Sequence, residues 1–369
     1  MALSRSTGGR SSLADSTMDM DECFSNAGIF DARQEERLHR HLDAVHCNAD
    51  GAVCLVSSSL AGRVWDGCLW VYAAPFGQEE RDELENQCSV ATACHPVSAG
   101  LSDVVWCGKD TIAAADDTGA LQVYRFDGQE GVITPHALLA KHDGMATCIA
   151  ATTTSGGSAA TSNVLTGGAD GRVVRWDLAS GQAVEDVRAH TRAVTRVAAS
   201  STHSALLASC ALGDRALLWD MRASHTRPCT VLMPGAESSS AATSLAFSVD
   251  DTMVAVGTVS GAVNVLDMRT AGSPHRTVLS NYSHGEATVT RLAFASHQRG
   301  YLASCGDSVL GHVVDTTTTS NGDGSNGGSV RVTKMSTTAE AVARGLAWSS
   351  TGVLLSCGLD YPLIKVHIA

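Results

Sequence analysis

A histidine, a hydroxyl and a carboxylate are the parts of a nucleophilic catalyst, and His142, Thr166 and Asp170 supply them, with Trp176 as a fourth member. No activated nucleophile belongs to the set. Its physical role is instead a hydrogen-bond chain that satisfies polar groups buried between strands. His190, Ser209 and Trp219 repeat the set with Asp214 displaced by one position, so this second network is expected to be incomplete. His39, His41, His46 and Cys47 are metal-capable, and His39 and His41 would share one face of a strand. A zinc site needs four converging ligands, usually with tighter paired spacing, so a solvated outer strand is expected there. Cys88, Cys94 and His95 are no better organised. No glycine-rich phosphate loop, paired-carboxylate motif or nucleophile elbow occurs. The expectation is a protein that is not an enzyme and uses neither cofactor nor metal.

The elements around these residues repeat. "VLTGGADGRVVRWD" (164–177) is an apolar strand, a Gly/Asp turn and a second strand closing on Trp176-Asp177, a hairpin by turn chemistry and period. It recurs as "LLASCALGDRALLWD" and, more degenerately, as "IAAADDTGALQVY", "VAVGTVSGAVNVLD", "LASCGDSVLGHVVD" and "LLSCGLDYPLIKVH". Tyr72, Tyr124, Trp176, Trp219, Leu266, Val314 and Val366 fall at one equivalent position, at intervals of 52, 52, 43, 47, 48 and 52 residues. Seven units of this period, each with four short strands, predict an all-β fold, a seven-bladed WD-type β-propeller. The stretches "VTRVAAS", "ATSLAFS", "VTRLAFA" and "ARGLAWS" are its inner, channel-lining strands. The chain stops after the third strand of the seventh unit, so the N-terminal segment "ERLHRHLDAVHCN" (36–48) is expected to supply the missing outer strand and close the ring. Residues 1–33 are expected to be a disordered extension and 34–369 the propeller; 152–163 and 316–329 are low-complexity loops within units.

Twenty-six basic residues against 38 acidic ones leave a net charge of −12, which opposes binding to nucleic acid or to an anionic membrane and suits cationic partners. The acidic run "QEERDELEN" (78–86) has the same sign. Twelve cysteines lie scattered, several inside apolar strands, with no Cys-x-x-Cys pair, as expected of buried reduced thiols. The N-terminus has no apolar signal-like core and no segment approaches 18 consecutive apolar residues, so an intracellular location, cytoplasmic and nuclear, is expected.

One Trp-Asp pair is out of phase. Counting back from Tyr72 aligns Gly67 with Gly171 and Asp66 with Asp170, which puts Trp65 at a hairpin tip rather than a strand end. Seven additional residues drawn from "SSSLAGRVW" lengthen that hairpin and carry Arg63 and Trp65 past the face of the propeller. Tryptophan and arginine are the residue types that dominate binding hot spots. Folding back over a seam between blades is the alternative for Trp65.

"DGAVCLVSSSLAGRVWDGCLWVY" (50–72) resembles the first blade of the methylosome WD-repeat subunit, and 188–222 and 342–368 continue the resemblance in order. It implies a non-catalytic propeller that binds the N-terminal barrel of a type II protein arginine methyltransferase in a hetero-oligomer. It also implies presentation of Arg-rich substrates, histones and spliceosomal Sm proteins, and stimulation of symmetric dimethylation. In the resemblance, Leu60, Gly62, Arg63 and Trp65 contact the enzyme, with Trp65 entering a pocket. A different reading rests on Trp219, Asp220 and Arg222, a WDxR box of the kind that docks propellers to the adaptor of cullin-type ubiquitin ligases.

Overall fold

The computed structural model describes residues 41–61, 64–73, 91–152, 163–222, 228–232, 241–269, 276–307, 309–316, 332–334, 342–359 and 361–367. The N-terminal extension, the acidic run 78–86 and the interiors of both low-complexity loops fall outside them. All regular elements among the described residues are strands, arranged in seven antiparallel sheets of sequential order. The first blade is β1 (Leu42–Cys47), β2 (Val53–Ala61), β3 (Val64–Tyr72) and β4 (Ala93–Val97); the second is β5 (Leu101–Trp106), β6 (Thr111–Asp116), β7 (Ala120–Asp127) and β8 (Val132–Ala140). The third is β9 (Ala146–Thr152), β10 (Asn163–Gly168), β11 (Arg172–Asp177) and β12 (Gln182–Arg188); the fourth is β13 (Val194–Ala199), β14 (Leu206–Ala211), β15 (Leu217–Asp220) and β16 (Thr230–Val231). The fifth is β17 (Ala242–Phe247), β18 (Met253–Thr258), β19 (Ala262–Asp267) and β20 (Arg276–Ser283). The sixth is β21 (Val289–Phe294), β22 (Tyr301–Gly306), β23 (Val309–Asp315) and β24 (Val332–Lys334), and the seventh β25 (Val342–Trp348), β26 (Val353–Leu359) and β27 (Tyr361–His367).

Each inner strand packs beside the next, and β25 returns to β1, so the blades form a closed ring. The core is a set of layers between blades rather than a single centre. Leu69 and Val71 of the first blade, for example, pack with Val104, Ile112 and Tyr124 of the second, and Cys148 and Leu165 of the third with Val197 and Trp219 of the fourth. Burial on both faces explains why these strands are rich in Val, Leu and Ala and alternate weakly.

The closing segment differs from the sequence expectation. Its described part, β1, pairs with β2 as the inner strand of the first blade, not as an outer strand of the last. The physical reason is burial: Leu42, Asp43, Ala44 and Val45 are all buried in succession, whereas the outer strand β12 exposes every second residue and buries only Val187. The ring still closes at the chain's N-terminal strand, because β1 lies against β25 and His41 makes a bridge to Leu359. Gly345 permits that approach. A Cβ there would lie 2.9 Å from the Val45 nitrogen and 3.1 Å from the Ala44 Cα, closer than backbone can yield.

Every inner strand carries a β-bulge at one residue near its start: Asp43, Ser102, Thr147, Thr195, Thr243, Thr290 and Arg344. Four of the hydroxyls among them reach into the next blade. Ser102 donates to the Ala146 carbonyl and Thr147 to that of Val194, while Thr243 donates to Val289 and Thr290 to Ala343, both at 2.7 Å. At the seam between the last and first blades the bulge residues are charged, and Arg344 donates to Asp43 at 2.9 Å.

Across the channel, Asp103 is almost fully buried and accepts from Arg196 of the fourth blade and, through both carboxylate oxygens, from Arg291 of the sixth, at 3.1 and 3.2 Å. The N–H groups of Ile149 and Val104 complete its shell. Burial raises the Asp103 carboxyl above its ordinary value against the pull of Arg291 and these N–H groups. The cluster therefore adds little net stability but is expensive to break, since losing the carboxylate strands two guanidinium groups. Asp103→Ala is expected to lower the unfolding free energy by about 3–5 kcal/mol, measured by urea denaturation.

Candidate functional site

The first blade departs from the other six at its central hairpin. In blades two to six the residue just after the second strand donates its N–H to the preceding inter-blade connection: Asp117 to Gly100, Ala169 to Met145, Leu212 to Ala193, Val259 to Ala241 and Asp307 to Thr288. Ser58 makes the same bond, to the His41 carbonyl. There the other hairpins turn, but β2 continues. The β2–β3 ladder runs from Val53↔Tyr72 to Ala61↔Val64, nine pairs against five between β10 and β11. Eight residues, 59–66, stand between Ser58 and Gly67 where the third blade has only Asp170 between Ala169 and Gly171, hence the seven extra residues.

Gly67 keeps the role of Gly171 although it lies within a strand. A Cβ at Gly67 would meet the Ala99 carbonyl oxygen at 2.4 Å, as one at Gly171 would meet that of His190 at 2.3 Å. Below it the hairpin is anchored: Cys68 and Trp70 are buried, and the Trp70 indole N–H donates to Ser57 Oγ at 3.4 Å. Above it the ladder pairs Ser59 with Asp66 and Leu60 with Trp65. Trp65 therefore belongs to strand β3, one pair short of the tip, rather than to the turn itself. Gly62 and Arg63 lie outside the described residues. The Trp-Asp pair here ends no strand; β3 runs on to Tyr72.

The histidine sets are elsewhere and are closed. His142 Nδ1 meets the Asp170 carboxylate at 3.1 Å, His142 Nε2 meets Thr166 Oγ1 at 2.8 Å, and Trp176 Nε1 meets the same hydroxyl at 2.9 Å. An indole only donates and a carboxylate only accepts, so the direction is fixed: Trp176 N–H to Thr166, Thr166 O–H to His142, His142 N–H to Asp170. Burial opposes the Asp170 charge, but the Arg172 and Asp143 N–H groups and His142 outweigh it and hold the carboxyl below its ordinary value. The Thr166 hydroxyl is fully buried and used in both directions, which leaves it nothing to offer a substrate.

The fourth blade corrects the expectation of an incomplete network. His190 meets Asp214 at 3.0 Å and Ser209 at 2.9 Å, and Trp219 donates to Ser209 at 2.9 Å. The five residues between β14 and β15 allow Asp214 to reach from its shifted position. In the sixth blade Val314 occupies the tryptophan position, and the Tyr282 hydroxyl, from the fifth blade, takes the indole's place at 3.2 Å from Ser304. His284 Nε2 meets Ser304 at 2.8 Å, while its Nδ1 has no partner among the described residues. His312 packs on it with ring centroids 4.7 Å apart. The tyrosine and the second histidine carried no sequence signal.

His46 is turned inward as well, its Nδ1 accepting from the backbone N–H of Trp106 at 3.2 Å. The Trp219-Asp220-Arg222 box forms its own clip, with Arg222 Nε and a terminal nitrogen on the Asp220 carboxylate at 3.0 and 2.7 Å. Arg269 and Asp267 repeat that geometry in the fifth blade at the same two distances.

Comparison with known proteins gives three findings. A family model described as nucleolar protein 10-like, N-terminal domain, a β-propeller, matches residues 157–362, over half of the chain. Methylosome protein WDR77 of Xenopus laevis is 29% identical over 276 residues, which cover 74% of this chain and 76% of that protein. A chain in the crystal structure of the Mitotic Checkpoint Complex superposes with a TM-score of 0.63 at 15% identity, over 89% of this chain and 87% of that one, a likeness of fold alone.

Two measurements test the buried networks. Thr166→Val removes the acceptor for Trp176 and the donor for His142 at nearly constant volume, and is expected to cost about 1–3 kcal/mol by urea denaturation. Burial, and then His312, lower the His284 pKa to about 4. In the unfolded chain a histidine titrates near 6.5, so between pH ~6.5 and ~4 the unfolded state alone takes the proton and stability falls with pH, by about 1.4 kcal/mol per unit. Replacing His284 with Gln should flatten the stability–pH curve over that window relative to the unmodified chain.

Proposed function

The chain belongs to the β-propeller family described as nucleolar protein 10-like, N-terminal domain, and from that premise we propose that it is a non-catalytic scaffold subunit of a methylosome-like complex. The observation that carries the reading is the first-blade hairpin. Its ladder continues three pairs beyond the point where the other blades turn, through seven additional residues in all, with Trp65 next to the tip. The family model begins at residue 157 and does not span this hairpin; the Gly62-Arg63-Val64-Trp65 element supports the reading there, and the likeness to a methylosome protein over 74% of the chain supports it as a whole.

In this reading Trp65, with Arg63, Gly62 and Leu60, docks into the N-terminal barrel of a type II protein arginine methyltransferase, while the propeller presents Arg-rich tails of histones or Sm proteins and raises symmetric dimethylation. A net charge of −12 favours such cationic substrates. Both cytoplasm and nucleus are the proposed locations, where Sm proteins and histones respectively would be met. A cullin-ligase receptor is the competing reading. The Asp220–Arg222 clip is shared with the next blade and so marks no single docking site.

Truncating a central anchor costs at least about 2 kcal/mol, so Trp65→Ala should weaken methyltransferase binding by about thirtyfold or more in a titration. Arg222→Ala should leave that affinity unchanged. Undiminished binding by a folded Trp65→Ala chain sinks the anchor, and loss of a ligase adaptor from Arg222→Ala alone would favour the competing reading.

A further inference from the structure

Two cysteines meet below the extended hairpin. Cys68 lies on β3 opposite Pro96 of β4, and Cys94 lies two residues along β4, opposite Trp70. Side chains two apart share a face of the sheet, so Cys68 and Cys94 are diagonal neighbours across one strand pair. Both are reduced, with sulfurs 2.8 Å apart. A disulfide bond is about 2.05 Å long, so bond formation asks for a movement of under about 1 Å. Cys68 is fully buried, whereas Cys94 is half-buried, on the outermost strand of its blade.

We infer that Cys68 and Cys94 are a reversible redox pair, oxidised to an intrachain disulfide by peroxide and reduced again by a thiol such as glutathione. This assignment is independent of the docking reading. The less buried member reacts first: the Cys94 thiolate attacks one peroxide oxygen, hydroxide leaves, and Cys94 becomes a sulfenic acid. Cys68 sulfur then attacks the Cys94 sulfur, the S–S bond forms, and the sulfenic oxygen departs as water with the Cys68 proton. Two thiols and one hydrogen peroxide thus give one disulfide and two waters. Two glutathione molecules return the thiols and become glutathione disulfide. The buried position of Cys68 protects it from direct attack while leaving it in line to resolve Cys94.

Five other thiols of the fold are poorer targets. Burial pushes Cys107, Cys148 and Cys210 up to about 12 and Cys47 and Cys305 to about 11, so little thiolate forms at any of them. The disulfide would bolt the outer strand of the first blade to the strand that carries the hairpin.

The test uses the full chain, reduced, treated with hydrogen peroxide, alkylated and digested without reductant for mass spectrometry. The expected result is one linked peptide pair holding Cys68 and Cys94, about 2 Da lighter than the two reduced peptides together. Glutathione should abolish it. Cys94→Ser should give no such pair and leave Cys68 fully alkylated on unfolding. Full alkylation of both residues after peroxide, a bond from Cys94 to a different cysteine such as Cys88, or Cys94 overoxidised beside an alkylatable Cys68 would each overturn the assignment.

Discussion

A ring of blades has no single core, so it stands or falls on its seams, and the seams depend on the bulge near the start of each inner strand. A bulge leaves backbone groups without ladder partners, a cost that must be met locally when the strand is buried. Four of the five serine or threonine residues at the bulges donate to the carbonyl just before the following blade's bulge, as Thr243 and Thr290 do. The same bond links the two blades across their seam. Where the ring closes, the contact must hold residues 301 positions apart, and the hydroxyl is replaced by the Asp43–Arg344 ion pair. Asp103 then ties the second, third, fourth and sixth blades through one carboxylate. Its desolvation offsets much of the attraction, so its contribution is to tie the second blade to the fourth and sixth, which are not its neighbours in the ring.

Much of this was legible in the sequence. The hairpin repeat placed the blades, and the position shared by Trp176, Trp219 and Val314 survives as the pairs Val164↔Trp176, Leu207↔Trp219 and Leu302↔Val314. The inner strands were located, but the meaning of the threonine in "VTRVAAS" and "VTRLAFA" was not, because a bulge is a property of register and cannot be seen in one strand alone. The assignment of 36–48 as an outer strand is corrected over its described part, from residue 41, for a related reason. "LDAVHC" has the same residue types whichever neighbour it pairs with, and counting strands back from the C-terminus favoured the wrong one. The shift at Asp214 mattered less than its spacing suggested, since the longer β14–β15 connection restores its reach to His190. Trp65 could be placed near a tip by counting, but counting cannot tell a long turn from a continued ladder.

The histidine networks show why a catalytic vocabulary of side chains is weak grounds for catalysis. In the third and fourth blades the hydroxyl is fully buried and committed at both its hydrogen and its oxygen. The sixth blade keeps the buried serine and histidine but fills the donor's place from a neighbouring strand, with a tyrosine instead of an indole. What is retained across the three blades is the satisfaction of one buried hydroxyl by two partners. The constraint is a polar group between β-strands needing its hydrogen bonds, and residue types may vary so long as it is met.

The same economy bears on the hairpin. A projecting loop of eight residues would lose backbone freedom on docking, at about 1–2 kcal/mol per residue fixed, and would offset much of what a buried tryptophan contributes. Here six of them, 59–61 and 64–66, extend an existing ladder whose lower half is held by buried Trp70 and by Gly67 against the Ala99 carbonyl. The β2–β3 pairing continues unbroken from that base to Ala61↔Val64, so the direction of the projection is inherited from the blade. Most of the ordering has been done by folding, before any partner arrives. The seams set where each blade sits, and in the first blade the same ladder that serves its seam also carries the additional pairs.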